Sequence, residues 1–203
     1  MKRAAIAGFA AGVAMAVGGA LGAVSTLTDS RAVIAPDAGV MNPMIAGQAM
    51  MPGHDLMANL AASPEHTKLV AALRESGLAS ALKSNGQFTV FAPIDAAFNV
   101  ESAAGNKARL AQRLGYLIVP GTFDSQALLK QISLGGGETR LRTVEGGVLT
   151  ARLNGPTNIL LMDERGRTAD IAIYDVRSRN GIIMVIDRMA TPSGPPRQVA
   201  ANG

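Results

Sequence analysis

The sequence predicts an α+β fold, because helical and strand patterns fall in different parts of the 203-residue chain. Between Asp55 and Ile132, most segments carry apolar residues at every third or fourth position, which is the period of a helix with one buried face. From Gly135 onward, apolar and polar residues alternate as they do in half-buried strands. Helices followed by a run of strands favour α+β over alternating βαβ units.

The N-terminal segment, residues 1–24, predicts export. Lys2 and Arg3 precede an uncharged run of 21 residues that ends in small side chains, which is typical of a secretory signal peptide. The run is also long enough to span a bilayer, so an uncleaved anchor is the alternative. We therefore expect a periplasmic, secreted or cell-surface protein, with membrane contact only through an uncleaved N-terminal segment.

Residues 25–52 are expected to form a flexible linker, since Pro and Gly interrupt any regular period. Residues 53–192 then form the folded domain, and residues 193–203 form a polar tail. Thioether and imidazole groups cluster around the end of the linker and could hold Cu(I). The alternative is that Met50, Met51 and Met57 fill gaps at the edge of the core. The candidate copper ligands are Met41, Met44, Met50, Met51 and His54.

The first half of the domain is predicted to contain four principal helices. Ser63, Pro64 and Glu65 form a helix-start pattern of cap, first-turn proline and acidic residue, which leaves His66 exposed in the first turn and without a role. The predicted helices are Asp55 to Ala62, Ser63 to about Gly77, Asn106 to Leu117, and Asp124 to Ile132.

The stretch from Gln87 to Phe98 predicts a buried strand that ends at Pro93. Asp95 is expected to accept backbone N–H bonds at the start of a helix that follows this strand and turns Phe98 inward.

The second half of the domain is predicted to consist of strands joined by tight turns. One pair of strands puts Arg140, Arg142 and Arg152 on a basic outer face, which is either a docking patch for an anionic polymer or lipid surface, or a solvated face. The predicted strands are Thr139 to Val144, Val148 to Leu153, Asn158 to Met162, Thr168 to Val176 and Gly181 to Met189.

Composition argues against several classes of function. The chain has no cysteine, which rules out disulfides and thiolate sites, and aromatic residues are only 3% of it. So few aromatics leave no stacking platform, and we expect no nucleic-acid partner despite the formal charge of +4. Asp163 and Glu164 are interpreted as a solvated turn, not as paired catalytic acids. We expect no catalytic residue and no cofactor.

Three ordered segments resemble motifs of the fasciclin domain. The segment T-V-F-A-P-I-D-A-A-F, residues 89–98, resembles the family's T-V-F-A-P-T-D-x-A-F, and residues 116–121 resemble its Y-H-V-V-P-G. Residues 180–187, N-G-I-I-M-V-I-D, resemble its N-G-V-I-H-V-I-D. The motif residues expected to have structural roles are Thr89, Phe91, Pro93, Asp95, Phe98, Tyr116, Pro120, Gly121, Asn180, Gly181 and Asp187.

The resemblance covers residues 53–192 and implies a fasciclin-like β-sandwich or wedge with helices packed along one edge. It also implies an exported, non-catalytic module for adhesion or matrix interaction, whose partner is a protein or a cell-surface or matrix polymer. Some members of the family bind carotenoids or other apolar molecules. A periplasmic carrier of a hydrophobic small molecule is therefore the alternative function, and copper binding is a less favoured one.

The sequence departs from the family motifs at three positions. Ile94 stands where threonine is usual, so Ile94→Thr is expected to stabilise the domain if position 94 caps a helix. Leu117 and Met184 stand where the family carries histidines. These are either separate changes in core packing or linked changes at two neighbouring positions.

Overall fold

The structure is a computed structural model that describes residues 41–83, 86–99 and 106–194. The predicted signal peptide, most of the predicted linker and almost all of the predicted polar tail lie outside these residues. No helix within the described ranges is long and apolar enough to cross a bilayer.

The helices lie mainly in the first half of the described chain, as the sequence predicts. Asp55 caps the first helix through a bond from Ala58 N to its Oδ1 of 2.7 Å, and Asp124 caps the last through Ala127 N at 2.8 Å. The helices are α1 (Leu56–Ala62), α2 (Thr67–Ser76), α3 (Leu78–Ala81), α4 (Lys107–Gly115) and α5 (Ser125–Leu134).

The strands form one small hairpin and one seven-stranded sheet. The hairpin consists of β1 (Met44–Ile45) and β2 (Gln48–Ala49). The strands of the sheet are β3 (Phe88–Pro93), β4 (Ile118–Pro120), β5 (Glu138–Arg142), β6 (Val148–Leu153), β7 (Ile159–Met162), β8 (Thr168–Ser178) and β9 (Gly181–Ile186). Their order is β4-β3-β9-β8-β7-β6-β5, and every neighbouring pair is antiparallel except the parallel pair β3 and β9. The predicted α+β class is confirmed.

Strands β3 and β9 separate two hydrophobic clusters. Val90 and Ile183 point toward helices α1, α2 and α4, whereas Phe91 and Met184 point toward α5 and the strands from β5 to β8. Every residue of β9 is buried. The uninterrupted apolar runs of β3 and β9 therefore reflect burial on both faces, as the sequence predicts for β3.

The start of α2 differs from the prediction. The helix begins at Thr67, and His66 is fully buried at its N-cap position instead of being exposed. The hydroxyl of Ser63 bonds the Nδ1 atom of His66 at 2.7 Å and does not cap the first turn of the helix. The acceptor for that turn is the carboxylate of Asp95, which takes bonds from Thr67 N at 3.2 Å and Lys68 N at 2.9 Å.

The predicted helix after Pro93 is also wrong. The described residues 94–99 form a turn, in which the N–H groups of Ala97 and Phe98 both bond the carbonyl of Ile94 at 2.9 Å. Ile94 and Phe98 are half-buried against the core that contains α2. Since the described residues 94–99 form no helix, a side chain at position 94 has no following helix to cap. The carboxylate of Asp95 caps α2 instead.

The described end of the predicted linker packs against the domain. Ile45 and Met50 are buried in the core, and Asn42 bonds both backbone groups of Arg177, at 2.7 Å and 2.8 Å. Residues 41–52 therefore differ from the expected linker, because two apolar side chains and an amide side chain fix them to the sheet.

Candidate functional site

The residues of the first motif hold β3 in place. The hydroxyl of Thr89 donates to Gly121 O at 2.8 Å and accepts from Phe123 N at 2.9 Å. Phe91 is fully buried, and Pro93 is the last residue of the strand. None of these side chains is available to a ligand, because each already packs in the core or bonds the backbone.

The second motif joins α4 to the sheet. The hydroxyl of Tyr116 donates to Val148 O at 2.7 Å and accepts from Glu164 N at 3.1 Å, and burial raises the pKa of this phenol. Pro120 ends β4, and Gly121 follows it with a φ of 98°, a left-handed conformation that favours glycine.

The third motif fixes both ends of β9. Asn180 accepts from Leu56 N at 2.9 Å and donates to Leu82 O at 2.5 Å. Gly181 has a φ of 153°, and a Cβ there would lie 1.9 Å from Phe88 O. At the other end, Asp187 accepts from Asp170 N at 2.7 Å. The three motifs are therefore elements of the fold.

Leu117 and Met184 stand where the family carries histidines. Both lie in the same core cluster, but strand β3 separates their backbones. Leu117 O accepts a bond from Phe91 N at 2.9 Å, and Phe91 pairs with Met184 in the next strand. Since Phe91 lies between them, the backbones at 117 and 184 are two strand spacings apart, about 10 Å. This arrangement favours two separate packing changes over one linked pair.

The candidate copper ligands do not share one surface. Met50 is buried in the core, as the alternative interpretation expected, together with Met57. Met51 is 52% exposed, so that interpretation is wrong for this residue. Met41, Met44 and His54 are exposed as well. A copper site on the remaining ligands stays a prediction.

The predicted basic strand face lies on β5 and β6. Arg140, Arg142 and Arg152 are exposed, and Arg152 stands opposite Glu138 in the antiparallel register. These three arginines do not line any of the three hollows described next.

A second arginine cluster, which the sequence analysis did not identify, encloses three adjoining hollows of about 310, 310 and 350 Å³. Arg113 and Arg165 line the first two hollows, and Arg167 and Arg188 line the first and third. We call this surface the arginine groove and define it by Arg109, Arg113, Arg165, Arg167, Arg188 and Thr191.

Three parts of the chain meet at the arginine groove. Arg109 and Arg113 lie one turn apart on α4, so they share a helix face. Arg165 and Arg167 lie in the turn between β7 and β8, and Arg188 and Thr191 follow β9. The three parts are far apart in sequence, which is why periodicity alone could not reveal the groove.

The carboxylate of Asp163 links two of the chain segments that form the groove. Its side chain is fully buried and forms an ion pair with Arg167 at 2.8 Å. It also accepts hydrogen bonds from Arg165 N at 2.9 Å and from Thr191 N at 3.2 Å. Burial opposes ionisation, yet the hydrogen bonds from Arg167, Thr191 and Arg165 outweigh it, so the pKa of Asp163 lies below its ordinary value. The prediction that this residue belongs to a solvated turn is wrong.

Glu164 fixes the segment that follows β9. Its carboxylate accepts from Val148 N at 3.1 Å, from Ser193 N at 3.2 Å and from the Ser193 hydroxyl at 2.7 Å. Gln112 of α4 donates to Gly194 O at 3.0 Å. These bonds hold the three parts of the groove in one arrangement.

The groove carries excess positive charge. The described residues that line the three hollows include five arginines and one carboxylate, Asp163, which gives a formal charge of +4 from five cations and one anion. Within the described residues, Arg109, Arg113 and Arg165 form no ion pair, and Arg188 approaches Asp187 only to 3.9 Å. The hydroxyl oxygen of Thr191 is buried at the groove without a hydrogen bond in the described structure. Guanidinium and hydroxyl groups in this arrangement can bind oxyanions.

Comparison with known proteins identifies relatives of the chain. The profile of the fasciclin domain matches residues 64–192, which is more than half of the chain. An uncharacterized protein of Synechocystis sp., sll1735, is 32% identical over 127 residues, which cover 60% of this chain and 85% of that one. A second Synechocystis protein, sll1483, is 32% identical over 133 residues, covering 61% of this chain and 66% of the other.

A solved structure shares the fold. The FAS1 domain pair of the insect cell adhesion molecule Fasciclin I matches with a TM-score of 0.56 and 20% identity, over 68% of this chain and 51% of that one. The profile match and the shared fold agree with the three motifs in the sequence. The chain belongs to the fasciclin-domain family.

Proposed function

We propose that this chain is an exported, non-catalytic interaction module that contributes to adhesion at the cell envelope. The observation that carries the proposal is the placement of the family motifs: their residues hold β3, β4 and β9 together, and recognition is left to the outer surface. Of that surface, the arginine groove offers the densest set of binding groups described above. Arg113, Arg165 and Arg188 are positioned there without a close ion pair among the described residues.

Two further observations support adhesion and export. Fasciclin domains are interaction modules in general, and the solved domain pair comes from an insect cell adhesion molecule. Residues 1–24 have the pattern of an export signal. The first two hollows are lined mainly by arginine and other polar residues, and the third includes Asp163, Arg167 and Arg188 beside its apolar side chains. Charged groups therefore stand where a hydrophobic carrier needs apolar walls.

The test combines location with phenotype. Cell fractionation of the source organism should find the chain outside the cytoplasm, and a strain lacking the gene should attach to surfaces and aggregate less than its parent. Reintroduction of the gene should restore both properties. A strain that attaches and aggregates like its parent would overturn the adhesion proposal, and recovery of the chain in the cytoplasm would overturn export.

Mass spectrometry of the native chain tests the alternative. We expect a mature N-terminus beyond residue 24 and no co-purifying apolar molecule. A stoichiometric lipid or pigment on the purified chain would replace adhesion by the carrier function.

A further inference from the structure

The geometry of the arginine groove assigns it a class of ligand: we propose that it binds a linear acidic polysaccharide through repeated carboxylate or sulfate groups. The inference deepens the proposed function, on which it rests, because it names the partner of the module. It is carried by the arrangement of the arginines, the buried hydroxyl of Thr191 and the shape of the three hollows.

The side chains of the groove are suited to oxyanions. Arginine presents a planar fork of N–H donors that matches a carboxylate or sulfate group with two parallel hydrogen bonds. Arg165 and Arg188 are exposed, and Arg113 is half-buried, so all three can reach a ligand. Asp163 is the one carboxylate among the described residues that line the three hollows. It is fully buried and already paired with Arg167, so it does not compete for the other arginines.

The hydroxyl of Thr191 is a second indication of a ligand. Its oxygen is buried without a hydrogen bond among the described residues, although Thr191 N is fixed by Asp163 at 3.2 Å. A buried hydroxyl without a partner is unfavourable in the folded chain. Thr191 lines the first and second hollows, so a rotation of its side chain would bring the hydroxyl to a ligand oxygen there and supply the missing acceptor.

The shape of the groove favours a polymer over a single small anion. The first hollow shares Arg113 and Arg165 with the second, and it shares Arg167 and Arg188 with the third. Each hollow has a volume near the lower end of small-molecule sites, about 300 Å³. Three adjoining hollows with arginines at their boundaries match a chain of ring-sized units that carry regularly spaced negative charge.

Other polyanions fit the groove less well. Among the described residues, no aromatic side chain lines the three hollows, so the bases of a nucleic acid would find no described ring to stack on. A membrane surface usually binds basic residues together with exposed apolar ones. The large exposed apolar residues of the described chain do not line the groove; they are Met41, Met44, Met51, Leu134 and Leu153.

The chain offers a matched pair of triple variants. The groove variant is Arg113→Gln, Arg165→Gln and Arg188→Gln, and the strand-face variant is Arg140→Gln, Arg142→Gln and Arg152→Gln. Both remove three positive charges from side chains on the surface, so non-specific attraction falls equally. Neither set contains Arg167, whose ion pair with Asp163 holds the turn together.

Binding is measured by calorimetry on the full native chain at several salt concentrations. The probes are heparin oligosaccharides, oligogalacturonate, neutral dextran and phosphatidylglycerol vesicles. We expect binding to the first two probes only, and the groove variant should weaken it about a hundredfold or more. The slope of log affinity against log salt should fall by roughly 3 in that variant, since three charge contacts are lost. The strand-face variant should stay within about threefold of the parent, because its charges lie outside the groove.

Thr191→Val separates ligand binding from structural support. It removes a hydroxyl without a partner, so the melting temperature should stay the same or rise, while affinity for heparin oligosaccharides should fall about fivefold to tenfold. This variant also keeps the test decisive if the groove triple variant fails to fold.

Three results would overturn the inference. The first is equal loss of affinity in both triple variants, which would indicate attraction by net charge alone. The second is binding to the vesicles without binding to either acidic polysaccharide, which would assign the groove to a membrane surface. The third is no binding to any probe. Because these are measurements on purified protein, the third result would leave an adhesion defect of the deletion strain intact, and the proposed function would stand with a different partner.

Discussion

His66 is a titratable group in a place where its charged form is unfavourable. The ring is fully buried between α2 and the end of β3, and its Nδ1 atom bonds the hydroxyl of Ser63 at 2.7 Å. Among the described residues, its Nε2 atom finds no hydrogen-bond partner of standard geometry, although the backbone of Ala92 lies close by. Burial lowers the pKa of His66 below 6.5, and the Ala92 backbone, Asp95 and Glu65 oppose this shift only in part.

We predict that the free energy of unfolding decreases as the pH falls below 6.5 because of His66. In that range the unfolded chain binds a proton on this ring that the folded chain does not bind, so protonation favours unfolding. The contribution of His66 is complete above pH 6.5 and is lost toward its lowered folded pKa, with a slope of at most about 1.4 kcal/mol per pH unit. Urea unfolding at several pH values between about 5 and 7 measures the slope.

The control for this prediction is His66→Gln, in which the slope should flatten over the same range. The lowered pKa values of Asp95 and Asp163 affect stability only near and below their ordinary value of 3.8, so they do not overlap with His66. A slope that is unchanged in His66→Gln would show that another group is responsible.

At the scale of residues, the sequence predicted which residues have structural roles better than it predicted which side chains are buried. His66 was expected to be exposed, and Asp163 was expected to be solvated, because local rules place charged and polar groups outside. Both are buried because partners that are distant in sequence, Ala92 for the first and Thr191 for the second, lie beside them in the fold. The motif residue Asp187 was expected to have a structural role, and it accepts a hydrogen bond from Asp170 N at the end of β9.

Helix α2 shows how one element depends on another for its stability. Its first turn is capped by Asp95, which lies beyond the end of β3 and 27 residues after Lys68. The carboxylate also accepts from the Thr67 hydroxyl, and the Lys68 ammonium donates to Asp95 O at 3.0 Å. The cap therefore joins the helix to the central strand, a link that a cap from a residue adjacent to the helix would not make.

We predict that Asp95→Ala lowers the free energy of unfolding by about 1–2 kcal/mol, because it removes the acceptor for the N–H groups of Thr67 and Lys68. Ile94→Thr should lower it by about 1 kcal/mol, since a half-buried apolar side chain is lost and no helix follows for the hydroxyl to cap. Chemical denaturation of the two variants and the parent provides the measurement. Stabilisation by Ile94→Thr would restore the original expectation of a helix cap at position 94.

Elements with a strong local pattern were predicted well. Helices α1, α4 and α5, strand β3 and the two hairpins β5–β6 and β7–β8 all lie where period, caps and glycine turns placed them. The failures at residues 63–66 and 94–98 share one cause. Ser63 and Asp95 both have the chemistry of a cap, and only the three-dimensional arrangement decides which of them reaches a helix.

At the scale of the whole molecule, the order of elements determined the fold class but not the topology. Helices before strands predicted α+β, and the motifs predicted the fasciclin fold. The insertion of β3 between β4 and β9, with a parallel pairing to β9, joins segments about 90 residues apart and leaves no local signal. The arginine groove was missed for the same reason, because its arginines come from α4, the turn between β7 and β8, and the segment after β9.

The N-terminal boundary of the folded unit is the property of the whole chain on which sequence and structure differ most. The predicted domain begins at residue 53 and the family profile at residue 64, yet the core includes Ile45 and Met50. Asn59 of α1 also bonds the backbone of Met51 in both directions, at 3.0 Å and 2.9 Å. Residues 41–52 are therefore packed and hydrogen-bonded as part of the folded unit.

We predict that a chain starting at residue 53 is less stable than one starting at residue 41, by about 2–3 kcal/mol. Burial of Ile45 and Met50 contributes roughly 1.5–3 kcal/mol each, and the entropy of ordering the segment offsets part of that gain. Two adjacent methionines provide the matched control in the full chain. Met50 is 3% exposed, so Met50→Ala should lower the free energy of unfolding by about 2–4 kcal/mol. Met51 is 52% exposed, so Met51→Ala should change it by less than about 0.5 kcal/mol. The prediction is wrong if the two truncated chains are equally stable and the two methionine changes have equal effects. Residues 41–52 would then behave as a linker.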